Sequence, residues 1–122
     1  MILHYLDFDY SEDAEGTGTW DAMASVLPAQ LDALLEEVAQ VLDWALHAFA
    51  GQRGAIEDGA DWDYDLQAVH EVTTSQHPRY DEDTRQVALH PNATRTDRYI
   101  LTLSLSGTTA FGAALREQFT LD

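Results

Sequence analysis

The stretch Pro28-Ala-Gln-Leu-Asp-Ala-Leu-Leu-Glu-Glu-Val-Ala-Gln-Val-Leu-Asp-Trp-Ala-Leu-His-Ala-Phe49 decides the fold of this chain. Advanced by about 100° per residue, as in an α-helix, Leu31, Leu34, Leu35, Val38, Val41, Leu42, Ala45, Leu46 and Phe49 fall on one broad stripe. Asp32, Glu36, Gln40, Asp43 and His47 fall opposite. That is an amphipathic helix lying on a core. Pro28 suits the first helical position, where its missing N–H costs nothing, and Gly51 suits the exit. At a rise of 1.5 Å per residue the helix is about 33 Å long. Trp44 falls off the stripe, beside Ala33, Glu37 and Ala48. It is expected either beneath a loop or second helix, or exposed as an anchor for a partner.

Before this helix, residues 2–10 alternate: Ile2, His4, Leu6, Phe8 and Tyr10 against Leu3, Tyr5, Asp7 and Asp9. A polar turn at 11–18 follows. Residues 19–27 alternate again, with Trp20, Ala22, Ala24 and Val26 against Asp21, Met23, Ser25 and Leu27. The pattern predicts a β-hairpin feeding the helix. After the helix, residues 50–61 are a glycine-rich connection. The spacing then predicts a strand at 63–74, an exposed acidic loop at 76–83, a short strand at 85–90, a turn at 91–97 and a strand at 98–106. Tyr99, Leu101, Leu103 and Leu105 of that last strand face inward. Thr109 suits the cap of a final helix, in which Phe111, Ala114, Leu115 and Phe119 share a face. The order β-β-α-β-β-β-α predicts an α+β fold. Its single antiparallel sheet has four to five strands, two helices pack on one face, and residues 1–122 form one domain.

A chain of 122 residues with 45% hydrophobic content suits one globular domain. There is no cysteine, which excludes disulfides and thiolate metal sites. The amino terminus, Met1-Ile-Leu-His-Tyr-Leu-Asp7, has no basic region and is not read as a signal peptide. No apolar run approaches membrane-spanning length. A cytoplasmic protein without a cofactor is expected.

Charge is the strongest signal. The chain has 22 acids against 6 bases, net −16, and every base is arginine. Residues 1–65 hold 15 acids and one base, Arg53, whereas residues 66–122 hold seven acids and five bases. Such a field repels nucleic acid and anionic membranes. It attracts a basic protein surface, and it also favours solubility.

Three motifs invite chemistry. Leu6-Asp-Phe-Asp-Tyr-Ser11 resembles, over six residues, the haloacid-dehalogenase phosphatases, in which two aspartates separated by one residue follow a hydrophobic strand. The resemblance implies one of Asp7 and Asp9 as nucleophile, the other as acid, and a parallel sheet behind them. The sequence departs from it where Tyr10 and Ser11 replace the usual glycine and threonine, and where the chain offers no lysine. Asp58-Gly-Ala-Asp-Trp-Asp-Tyr-Asp65 invites a cation. Asp61, Asp63 and Asp65 match the first ligands of an EF-hand loop, but Leu66 and Val72 stand where glycine and a bidentate glutamate belong. Ser106-Gly-Thr-Thr109 runs from strand into helix, where anions bind, although capping explains the same residues. The five histidines show no ligand spacing; His4 and His70 are placed to meet across neighbouring strands.

The sequence therefore points first to a non-enzymatic acidic binding module that docks on a basic protein. Asp7, Asp9, Asp21, Asp58, Asp61, Asp63 and Asp65 would make the contact, with Trp62 and Trp44 as apolar anchors. The alternatives are a homodimer formed through Leu3, Tyr5, Met23 and Leu27, and a small metal-assisted hydrolase using Asp7 and Asp9 with some of Asp61, Asp63 and Asp65.

Overall fold

Hydrophobic periodicity sets where each element forms and how it lies on its neighbours. The computed structural model describes residues 1–121. Its elements are β1 (Asp9–Glu12), β2 (Gly18–Val26), α1 (Pro28–Ala48), a single 3-10 turn (Ile56–Asp58), β3 (Trp62–Asp81), β4 (Gln86–Gly107) and α2 (Thr109–Phe119). The strands form one antiparallel sheet in the order β1-β2-β4-β3. Both helices lie on the same face of it. The fold is α+β, as the sequence predicts.

The core lies between that sheet face and the helices. Trp20, Ala22, Ala24 and Val26 of β2 and Leu101, Leu103 and Leu105 of β4 meet Leu34, Val38, Val41 and Ala45 of α1. Phe111, Leu115 and Phe119 of α2 complete it. Leu35 and Leu46, at the margins of the predicted stripe, stay exposed. The α2 N-cap is Thr108, whose Oγ1 accepts the Phe111 N–H, one residue before the predicted cap. Gly107 lets the helix turn this tightly, because a Cβ there would lie 2.3 Å from the Phe111 ring.

Two local predictions fail for physical reasons. Residues 2–8 form no strand. Glu37, which the helical periodicity leaves off the stripe, is 5% exposed. Its Oε1 accepts the His4 N–H, and its Oε2 accepts those of Tyr5 and Leu6, each at 2.8 Å. Three donors compensate a buried carboxylate. They also remove these backbone groups from any sheet ladder and press Leu6 into the core. His4 is thereby tied to α1 and does not meet His70.

The second failure is at the far end of the sheet. Residues 76–81 continue β3, and the predicted strands at 85–90 and 98–106 are both parts of β4. The predicted turn at 91–97 survives only as an irregularity. Pairing passes from Thr74↔Arg95 to Gln76↔Pro91, so three residues of β4 face Ser75. Pro78 and Pro91 are tolerated because every strand here has a free edge. The true turn follows Asp81, whose carboxylate accepts the N–H groups of Asp83 and Thr84, and Arg85 closes it at φ 59°.

The pairing of β2 with β4 ends at Val26↔Tyr99. Beyond it, residues 71–98 form a two-stranded arm whose side chains are almost all exposed. At its root the His70 ring stacks on Tyr99 at 4.3 Å. The His70 Nε2–H donates to Asp97 at 3.0 Å, and Arg95 donates to both Asp97 oxygens at 2.8 and 3.2 Å. Hydrogen bonds from Arg95 first and His70 second hold the Asp97 carboxyl down at about 2, from an ordinary 3.8.

Glu37→Ala is expected to destabilise the protein by about 3 kcal/mol, since it strips the acceptor from three amides; denaturant unfolding measures this. Hydrogen exchange at Tyr5 and Leu6 should lose its protection in the same variant. The Asp97 contacts depress a carboxyl pKa. Their contribution is therefore complete above the unfolded value near 4 and is lost as pH falls through about 2. From about pH 5 down to about pH 1 the stability advantage of wild type over Asp97→Asn should shrink to nothing.

Candidate acidic docking face

Side chains alternate across a sheet, so burying Trp20, Ala22, Leu103 and Leu105 against the helices turns their neighbours outward. The register brings Asp9 opposite Asp21, Asp21 opposite Ser104, and Ser104 opposite Asp65. One row across all four strands of the helix-free face therefore reads Asp, Asp, Ser, Asp. The Ser104 hydroxyl donates to Asp21, and Gln67 Nε2 donates to Asp65 at 2.9 Å. Among the described residues, none of Asp9, Asp21 and Asp65 has an ion-pair partner. The next row is Ser11, Thr19, Ser106 and Asp63.

At the end of this second row the face opens into a groove of about 420 Å³. Asp13 and Glu15 of the β1–β2 turn, Glu57 of the 3-10 turn and Asp63 line it, with Thr17 and Ser106 between them. Asp13 is held in place by accepting the N–H groups of Glu15 and Thr17. Arg53 brings a cation to this region, 3.3 Å from Asp63 and 5.4 Å above the Tyr64 ring. Carboxylates therefore line both the open face and the groove that continues it. Among the described residues, no three His, Asp or Glu side chains are grouped as metal ligands would be.

The structure sorts the predicted contact residues. Asp9, Asp21 and Asp65 share the row, and Asp63 sits at the groove with its charge already met by Arg53. Asp58 is exposed on the 3-10 turn, and Asp61 is half-buried just before β3. Asp7 precedes β1 and lies with Phe8, Tyr10 and Leu121, away from the row. The sheet is wholly antiparallel, so Asp7 and Asp9 do not stand at the end of a parallel strand as the phosphatase resemblance implies.

Both tryptophan anchors are corrected. Trp62 is fully buried and stacks on Phe111 at 5.6 Å, so it presents nothing to a partner. Trp44 is half-buried, with Phe119 at 5.4 Å and Phe111 at 5.9 Å; α2 covers it. The expected dimer surface is not assembled either. Leu3 and Tyr5 pack against the core outside the sheet, leaving only Met23 of that set in the open face. Sequence reading missed Asp13, Glu15 and Glu57. Periodicity shows that Ser104 points outward, but only the strand register sets it between Asp21 and Asp65.

Comparison with protein-family models, with curated proteins and with solved structures gives no match, so geometry and charge alone carry the functional reading.

Proposed function

We propose that the protein is a non-catalytic binding module whose helix-free sheet face and adjoining groove dock on a basic protein surface. The Asp9–Asp21–Ser104–Asp65 row carries the reading. Like charges directly opposed across strands, as Asp9 and Asp21 are, cost up to about 1 kcal/mol. No arginine of the chain relieves them. Lysine or arginine side chains of a partner would do so, and the rows of serine and threonine supply further hydrogen-bonding groups. The groove among Asp13, Glu15, Glu57 and Asp63, at about 420 Å³, has the volume to receive one long basic side chain. Its carboxylates would then bracket the incoming cation. A body carrying most of the net charge also speeds encounter with a basic partner.

The triple variant Asp9→Asn, Asp21→Asn, Asp65→Asn tests this as bait in a pull-down at about 50 and 200 mM salt, over which the Debye length falls from roughly 14 to roughly 7 Å. Basic proteins held by the wild type at low salt should be lost at high salt and lost from the triple variant. They should be kept by a control neutralised on α1 at Asp32, Glu36 and Asp43. Equal retention by both variants would reject the face. In the isolated protein, Asp9→Asn should raise stability by about 0.5 kcal/mol at low salt, an effect that fades in 0.5 M salt.

A further inference from the structure

Residues 71–98 hold five acids and four arginines, net −1, whereas the rest of the chain holds 17 acids and two arginines, net −15. The arm is thus nearly neutral. It is also the least supported part of the molecule, because an isolated two-stranded ribbon is marginally stable in water. One of its faces is apolar at the root and at the tip, with Thr74, Gln76, Arg95 and Asp97 on it between the two. The irregularity spans two residues on β3 and four on β4, Thr74 to Gln76 against Arg95 to Pro91. Side-chain parity is therefore kept across it. The face that begins with Leu66, His70, Tyr99 and Val72 continues to Pro78, Tyr80, Val87 and Leu89. Near the tip Tyr80, Val87 and Leu89 are 58%, 65% and 64% exposed.

We infer that this face is the contact between two copies of the chain, with the arms packed face to face and running in opposite directions. Charge selects the partner and the geometry. Bodies of −15 repel each other, so a second copy is admitted only along the arm, and opposed arms hold the bodies at the two ends. The nearest edges of the bodies, where each arm begins at residue 71, then lie roughly 20 Å apart by the strand rise, more than twice the physiological Debye length of about 8 Å. A two-fold axis across the arms sets the tip residues Tyr80, Val87 and Leu89 of one copy on the root residues Leu66 and Val72 of the other. Such self-complementary contacts are how dimers close. A strip about 50 Å long and about 10 Å wide on each copy buries on the order of 1,000 Å² in total, where specific interfaces begin. A reversible dimer is the expected product.

Sedimentation across roughly 1–200 µM tests the inference. The wild type should pass from monomer to dimer. The double variant Val87→Glu, Leu89→Glu should remain monomeric with an unchanged far-ultraviolet spectrum. Ala88→Glu, on the opposite face of the arm, should still dimerise. So should the triple variant Asp9→Asn, Asp21→Asn, Asp65→Asn, which separates this contact from the docking face. Because the chain has no cysteine, a single spin label at Glu36→Cys reports the distance between bodies, expected at about 40 Å or more. A wild type that stays monomeric at the highest concentration overturns the inference. A dimer that survives the double variant does so too, as do bodies within about 30 Å of each other.

Discussion

The helical layer is shorter than the sheet it covers, and this mismatch organises the molecule. At 1.5 Å per residue the 21 residues of α1 span about 31 Å, whereas at 3.3 Å per residue the 22 residues of β4 span about 73 Å. Apolar side chains are removed from water only where a helix lies over them. Leu101, Leu103 and Leu105 are buried, while Val87 and Leu89 of the same strand are not. One sheet therefore has three environments: a covered face, an open acidic face behind it, and an arm that nothing covers.

Charge follows the same division. Carboxylates crowd the body, where the core holds the strands in register whatever their side chains do at the surface. The arm, which has no core, carries four of the six arginines and a root clamped by Arg95, Asp97, His70 and Tyr99. Glu37 is the exception among the acids. It acts inside the fold, fastening the amino-terminal segment to α1 through three amides. If the arms pair as inferred, the dimer displays two acidic faces far apart, an arrangement suited to bivalent attachment.

Much of this was legible in the sequence because it depends on period. The span of α1, the inward row Tyr99, Leu101, Leu103, Leu105 and the outward placing of Asp21 and Asp65 all follow from alternation or helical spacing. What could not be read depends on contacts remote in the chain. Glu37 looks like a surface residue until the His4–Leu6 amides arrive 31 to 33 positions away. Trp62 sits among aspartates in a segment that reads as wet, yet Phe111 stacks on it. Pro78 and Pro91 are loop signals in most settings. They fit a strand here because the arm has free edges.

Docking on the open face is tested most directly by following backbone amide resonances while a lysine-rich peptide is added at low salt. Binding there predicts shifts concentrated at Asp9, Asp21, Ser104 and Asp65 and around the Asp13–Glu57 groove, with Asp32, Glu36 and Asp43 of α1 left in place. Shifts spread evenly over the carboxylates of α1 and the sheet would contradict it, and would reduce the acidic surface to a means of staying dissolved.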